Sequence, residues 1–206
     1  MSVARHNEPI PRLAYERAAF HYPAGGLSFR GERLVVEVGP GRGDFMFHIA
    51  ETNPRDEIVG IEIKGKRIDK LIKRIERRSL RNVRLIQDDA RAALPRNFDD
   101  GSVDEIHVHF PDPWPKKRHT KHRSMSYSFL KDCLKALKVD GTLTFITDHR
   151  PYAEAVLETF SEITEFESCY EGPLMSDAPD AFPTFFAQKW IAEGREITYQ
   201  KYRRKA

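Results

Sequence analysis

Short apolar runs alternate with amphipathic helical patterns along most of this chain, and that alternation restricts its fold more than any other feature. Runs rich in Val and Ile between turn residues are typical of buried strands, whereas the intervening segments place apolar residues at helical spacing. Strands joined in this way form right-handed crossovers, so the pattern predicts an α/β fold with a mostly parallel central sheet and helices on both faces. The predicted strands are 34–38, 57–63, 83–87, 103–110 and 142–147, and the predicted helices begin at Asp44 and cover about 66–78, 90–94, 127–137 and 152–160.

The C-terminal segment breaks this alternation. The stretches 184–191 and 195–202 flank Ala192, Glu193 and Gly194, a pattern that predicts an antiparallel hairpin closing the sheet. A chain of 206 residues without a Ser/Gly or Pro-rich linker is expected to form one domain. We assign residues 31–206 to that domain, and residues 1–30, which are polar and punctuated by Pro and Gly, to an N-terminal arm.

Composition argues against several classes of protein. A hydrophobic content of 40% and a charged content of 32% are typical of a globular protein with a heavily charged surface. No run approaches the roughly 20 apolar residues needed to cross a bilayer, and the first residues have no apolar leader, so we expect a cytoplasmic protein. Cys133 and Cys169 lie too far apart in sequence to suggest a disulfide framework or a zinc knuckle.

Charge is unevenly distributed although the formal net charge is only +3. Basic residues are concentrated in 64–81, 116–123 and 201–205, while the acids lie mostly elsewhere. This separation favours a face that binds a polyanion, although well-solvated helices would give the same pattern.

A glycine-rich loop follows the first predicted strand. Gly39, Gly41 and Gly43 would let backbone N–H groups approach a ligand closely. The spacing is GxGxG, whereas a dinucleotide-binding loop has GxGxxG and places a pyrophosphate at the helix N-terminus. Here Glu37 and Asp44 flank the loop, and carboxylates repel phosphate but attract an ammonium group.

Acids also end the next two predicted strands. Glu62 lies about 20 residues beyond the loop, where an acid can accept hydrogen bonds from both hydroxyls of a ribose. Asp88 and Asp89 end the third strand, where an adenine edge would lie. A ligand with an amino group, a ribose and an adenine but no phosphate fits these positions, and S-adenosylmethionine is such a ligand.

The stretch 107–123, HVHFPDPWPKKRHTKHR, is where we expect the chemistry. Pro111 and Pro113 would end the fourth strand and hold Asp112 at the sheet edge where open α/β folds bind ligands. Trp114 could stack on a base or form an apolar lid. Lys116 and Arg118 could contact phosphates.

Together these segments resemble the bacterial tRNA (guanine-N7-)-methyltransferases from about Glu32 to the C-terminus. The most specific segment is FPDPWPKKRHTKHR, and EVGPGRGDF, VGIEIK, DDA and TDHRPYAE occur in the same order as in the family. The resemblance implies a Rossmann-like class I methyltransferase fold. It also implies transfer of a methyl group from S-adenosylmethionine to N7 of the variable-loop guanosine, position 46, of tRNA.

Site residues follow from matching the motifs. The resemblance implies that the cofactor is bound by Glu37, Glu62, Asp89 and Asp112, with Asp112 also at the catalytic centre. Lys116, Asp148 and the segment beginning at Thr184 would contact the substrate. Two positions depart from the family pattern, because Phe185 and Ala187 stand where a basic residue and a glutamate are typical.

Alternatives to this interpretation stay open. An enzyme of the same fold could methylate another RNA or a small molecule, and a non-catalytic RNA-binding relative could retain the fold. His107 and His109 alternate on a strand and could ligate a metal with Asp112 or His119, but no further ligand has convincing spacing. We therefore expect no metal and expect both histidines to pack or to form hydrogen bonds. The sequence does not decide between a monomer and a homodimer.

Overall fold

The computed structural model of the chain describes residues 31–113 and 124–206. The predicted N-terminal arm, residues 1–30, lies outside the described residues. So do Trp114, Lys116, Arg118 and His119.

The described residues form seven strands and six helices. The strands are β1 (Leu34–Val38), β2 (Glu57–Ile61), β3 (Val83–Ile86), β4 (Val103–His109), β5 (Leu137–Thr147), β6 (Phe166–Ser168) and β7 (Thr198–Arg204). The helices are α1 (Asp44–Thr52), α2 (Gly65–Arg78), α3 (Ala90–Asn97), α4 (Tyr127–Ala136), α5 (Arg150–Ser161) and α6 (Phe185–Ala192). The strands form one sheet in the order β3-β2-β1-β4-β5-β7-β6.

Strands β1 to β5 are parallel, as the alternation predicts, and β7 runs antiparallel to both β5 and β6. Successive residues of β1 and β2 enter opposite cores. Val35 packs with Phe47 and Leu71 of α1 and α2, whereas Val36 packs in the cluster that contains Phe129 of α4 and residues of α3 and α5. The prediction of helices on both faces is therefore confirmed.

The predicted C-terminal hairpin is wrong in its first strand. Residues 184–191 lie almost entirely in helix α6, and the antiparallel partners of β7 are β5 and β6 instead. The Thr184 hydroxyl accepts a hydrogen bond from the Ala187 backbone N–H at 3.1 Å, which caps the helix. Aromatic residues such as Phe186 and Trp190 favour strands by propensity, but their spacing of four also suits one face of a helix.

Strand β5 begins earlier than predicted. Leu137 already pairs with Val103, and the register shifts before Glu105 pairs with Thr142. Asp140 has a φ of 65°, and this residue lies in the irregular stretch that the sequence pattern did not reveal. Among the residues that the structure describes, none of the helices combines the length and apolar character needed to span a bilayer.

Candidate active site

A cavity of about 630 Å³ lies at the carboxyl ends of the parallel strands. The chain runs from β1 to β2 on one side and from β4 to β5 on the other, so the strand order reverses between β1 and β4. Open α/β sheets bind ligands at such reversal points, and the volume suits a ligand of cofactor size. Eight residues predicted to form a site line this cavity: Glu37, Gly39, Gly41, Glu62, Asp89, Asp112, Asp148 and Thr184.

Gly43 is placed differently from the other two loop glycines. It is absent from the cavity lining, and its φ is 76°. A Cβ atom added to Gly43 would lie 2.7 Å from the Phe47 ring and 2.8 Å from the Leu71 side chain, so this glycine lets α1 and α2 pack closely. A Cβ on Gly39 would meet nothing within 4 Å. The described geometry thus gives Gly43 a packing role and leaves Gly39 at the open cavity.

Glu37 is a buried carboxyl group on the cavity wall. Burial raises its pKa, a hydrogen bond from the Met46 backbone N–H lowers it and the nearby Asp44 raises it, with a net value of about 8. Its Oε2 atom has no hydrogen-bond partner among the described residues. An unpaired carboxyl oxygen facing a cavity is costly unless a ligand donates to it.

His109 lies beside Glu37, with 3.7 Å between its Nδ1 atom and Oε1 of Glu37. Burial and the neighbouring His107 hold the pKa of His109 well below its usual value, so the ring is neutral. Neither ring nitrogen has a hydrogen-bond partner within the described ranges. His109 therefore offers the cavity a second unsatisfied polar group, although the sequence pattern did not assign this residue to the cofactor site.

His107 does not share that position. Its Nε2 atom lies 2.8 Å from a carboxyl oxygen of Glu105. Burial would raise the pKa of Glu105, but His107 and Arg33 outweigh it and lower that pKa to about 2. The described residues contain no group of three side chains suited to hold a metal ion.

Glu62 and Asp89 are both fixed by neighbouring groups. Glu62 is buried; its Oε1 accepts from the Lys64 backbone N–H at 2.9 Å, and its Oε2 lies 3.3 Å from the Arg67 guanidinium. Asp89 caps α3 by accepting from the Arg91 backbone N–H at 3.0 Å, and its hydrogen bonds with Arg91 lower its pKa. Each carboxylate keeps lone pairs for a ligand, because one oxygen can accept two hydrogen bonds.

Asp112 is exposed at the cavity, and an unusual backbone precedes it. Phe110 has a φ of 49°, which is uncommon for a bulky residue, and its N–H donates to the Ile146 carbonyl at 2.8 Å. The strand prediction included Phe110, but β4 ends at His109. Such backbone strain is concentrated at functional sites, and here it directs the chain that carries Asp112.

Asp148 lies in a cluster whose other members, Arg195 and Trp190, were not predicted from the sequence. The Arg195 guanidinium donates to Oδ2 of Asp148 at 2.6 Å and lies 3.9 Å above the Trp190 ring. Arg195 and Trp190 line the cavity together with Phe186. Their segment was predicted to form a hairpin, so only the helical spacing of Phe186 and Trp190 could have revealed them.

The two positions that depart from the family pattern do not line the cavity. Ala187 is buried, with 2% of its surface exposed, and does not line the cavity. Phe185 is 41% exposed, and the Arg42 guanidinium lies 4.0 Å above its ring. Arg42 itself lines the cavity, so a cation is present next to the position where the family typically has one.

The sheet order, with antiparallel β7 between β5 and β6, is the fold of the Rossmann-like methyltransferases. A structure titled as an rRNA methylase from Streptococcus thermophilus superposes with a TM-score of 0.59, covering 85% of this chain and 88% of that chain at 15% identity. At that identity the likeness shows the fold alone.

Sequence comparison gives the family. A family model, Methyltransf_4, described as "Putative methyltransferase", matches residues 31–200. A relative from Thermotoga maritima is 38% identical over 168 residues, which are 81% of this chain and 52% of the relative. A relative from Ralstonia nicotianae is 34% identical over 195 residues, 94% of this chain and 76% of the relative. Both are named tRNA (guanine-N(7)-)-methyltransferase. The chain belongs to the tRNA (guanine-N(7)-)-methyltransferase family. It spans only about half the length of the Thermotoga relative.

Proposed function

We propose that this protein transfers a methyl group from S-adenosylmethionine to N7 of a guanine in tRNA, and that the target is the variable-loop guanosine at position 46. Membership of the family and the names of the two relatives support the reaction. The observation that carries the proposal is Glu37, a buried carboxyl group with an unpaired oxygen on the wall of a cofactor-sized cavity.

The cavity walls suit S-adenosylmethionine group by group. Glu37 would accept from the ammonium group, and the unpaired nitrogens of His109 lie beside it. Glu62 would accept from the ribose hydroxyls, and Asp89 from the adenine amino group. Ile63, which is 59% exposed on the cavity wall, offers an apolar surface for the adenine ring.

The glycine loop would complete the cofactor site. Gly39 and Gly41 would present their backbone at close range, since both line the cavity. Gly43 would act by holding the loop against α1 and α2.

The proposed chemistry requires orientation and charge rather than proton removal. S-adenosylmethionine supplies an electrophilic methyl group on a sulfonium. N7 keeps a free lone pair and loses no proton on methylation, so the protein needs no general base. Asp112 would accept hydrogen bonds from guanine N–H groups, align N7 with the methyl group and oppose the positive charge that develops on the base.

Substrate contacts would come from several parts of the chain. Asp148, held by Arg195, and Thr184 lie on the same cavity and would contact the guanosine. Lys116 and Arg118, predicted to contact phosphates, belong to the segment outside the described residues.

A second candidate is the methylation of another RNA or of a small molecule by the same site. The aromatic wall of Phe186 and Trp190 favours it, because a flat apolar surface would accept many planar groups. A non-catalytic RNA-binding relative is a third possibility.

Identification of the product separates these candidates. The purified protein would be incubated with labelled S-adenosylmethionine and an unmodified tRNA transcript, and the digested nucleosides would be analysed. We expect 7-methylguanosine, and none when the variable-loop guanosine is replaced by adenosine. Label on a different nucleoside would support the second candidate, and cofactor binding without transfer to any RNA would support the third.

A further inference from the structure

Four basic side chains form a stripe along α2. Lys66, Lys70, Lys73 and Arg77 are spaced by four, three and four residues, which places them on one face of a helix. All four are exposed, and the stripe is roughly 16 Å long at the usual helical rise. The opposite face of α2 buries Ile68, Leu71 and Ile75, so the direction of the stripe is fixed by the core.

The stripe differs from the other cations of the same helix. Arg67 pairs with Glu62 at 3.3 Å, Arg74 with Asp44 at 3.6 Å, and Arg78 with Glu51. None of the salt bridges within 31–113 and 124–206 joins one of the four α2 stripe residues to an acid. Asp69 and Glu76 lie at helical spacing from Lys66 and Lys73 and offset part of the repulsion among the stripe cations, and a bound polyanion would remove the remainder.

The α2 stripe leads to the cavity. Lys64 and Arg67 line the cavity, and α2 begins at Gly65 between them. A strand of nucleic acid lying along the stripe would therefore reach the site beside Glu62. The stripe contains no exposed apolar side chain that could insert into a membrane, which argues for a hydrated polyanion.

We propose that the α2 stripe binds the phosphate backbone of the RNA substrate and directs it toward the cavity. This inference rests on the proposed function, and it adds a surface that neither the relatives' names nor the site residues specify. Affinity falls with salt, and each phosphate contact makes the slope of log affinity against log salt concentration more negative by about 0.7 to 0.9. Four contacts would therefore make it more negative by about 3.

The test compares two variants with equal loss of charge. The stripe variant carries Lys66→Gln, Lys70→Gln, Lys73→Gln and Arg77→Gln. The control carries Arg55→Gln, Lys131→Gln, Lys135→Gln and Arg203→Gln, four cations that pair with acids away from the cavity. The dissociation constant of a tRNA transcript is measured between 50 and 200 mM salt, together with that of S-adenosylmethionine.

We expect the stripe variant to lower the magnitude of the salt slope by about 3, so that wild type loses about 60-fold more affinity than the variant over this range. Cofactor affinity and the control slope should stay unchanged. Equal slopes for the stripe variant and wild type, equal losses in both variants, or tighter binding to anionic phospholipid vesicles than to tRNA would overturn the proposal.

Two further results keep the inference separate from the proposed function. Wild type that methylates tRNA while the stripe variant keeps its salt slope would refute only the stripe. Wild type that binds no tRNA would refute both. If the quadruple variant does not fold, the Lys70→Gln, Lys73→Gln double variant should lower the slope by about 1.5, and no change in that variant would also refute the stripe.

Discussion

Glu37 combines a buried carboxyl group with a missing hydrogen-bond partner, and its protonation links stability to ligand binding. Its pKa is about 8 in the folded chain, mainly because of burial, against 4.5 for the free side chain. Below pH 4.5 this carboxyl group is protonated in both the folded and the unfolded chain, and the free energy of unfolding is highest. It falls as the pH rises from 4.5 to about 8, because only the folded chain keeps the proton in that range. The loss is on the order of a few kcal/mol.

Glu37→Gln should stabilise the free protein at pH 8, because an amide cannot ionise, and leave stability at pH 4.5 nearly unchanged. We expect a rise of several degrees in the melting temperature at pH 8. The same change should weaken S-adenosylmethionine binding roughly 100-fold, because the ammonium group loses its carboxylate. Wild-type affinity should increase as the pH rises toward 8. Thermal unfolding and calorimetry at several pH values measure both effects, and equal destabilisation at both pH values would refute this account.

Asp112 is the residue on which the proposed chemistry depends. Asp112→Asn keeps the shape of an exposed side chain, so the melting temperature should not change. The rate of methyl transfer should fall at least about 100-fold, as for other losses of preorganised charge stabilisation. Single-turnover assays measure this rate, with Asp99→Asn, an exposed acid outside the cavity lining, as the control. Full activity in Asp112→Asn would remove this residue from the mechanism.

At the scale of elements, the packing of α1 on α2 depends on Gly43. Gly43→Ala should destabilise the fold by about 2 to 4 kcal/mol, because it combines a positive φ with contacts below 3 Å. Gly101→Ala is a matched control, since Gly101 also has a positive φ but no atom within 4 Å of an added Cβ. That change should cost only about 1 kcal/mol. Urea denaturation compares the two, and equal costs would show that the Gly43 contacts are not important.

Helix α6 and the segment after it bring Arg195 to Asp148. Arg195→Gln should raise the KM for tRNA several-fold and leave cofactor affinity unchanged, because Asp148 loses the group that orients it. Arg195→Lys should raise the KM for tRNA less than Arg195→Gln does, since the charge remains while the contact with Trp190 changes. Steady-state kinetics with Arg150→Gln as the control would measure this, and wild-type constants for Arg195→Gln would exclude a positioning role.

The sequence predicts the parallel half of the sheet because buried strands and amphipathic helices carry local patterns. It also places Glu37, Glu62, Asp89 and Asp112 together, since the carboxyl ends of parallel strands share one edge. It predicts an antiparallel C-terminal strand where β7 lies but not its partners β5 and β6, which are set by contacts distant in sequence. For the same reason the contact between Asp148 and Arg195, 47 residues apart, carries no local signal. The positive φ of Phe110 likewise follows from its tertiary setting.

At the scale of the whole molecule, one cavity and one basic surface lie next to each other. Acids at the carboxyl edge of the sheet would hold a cationic cofactor. Lys64 and Arg67 also line the cavity, and the exposed α2 stripe continues from them along the outside of the helix. Acids at the sheet edge beside a basic helix face suit an enzyme that binds a sulfonium cofactor in the cavity and a polyanionic substrate on its surface.

The most direct measurement of this account uses a tRNA in which the variable-loop guanosine is replaced by 7-deazaguanosine. That base has a C–H group where N7 would be, and therefore lacks the lone pair that forms the new bond. We expect rapid methyl transfer to the normal transcript and none to the 7-deaza transcript, with similar affinity for both. Equal methyl transfer to the two transcripts would contradict N7 as the acceptor and with it the proposed function.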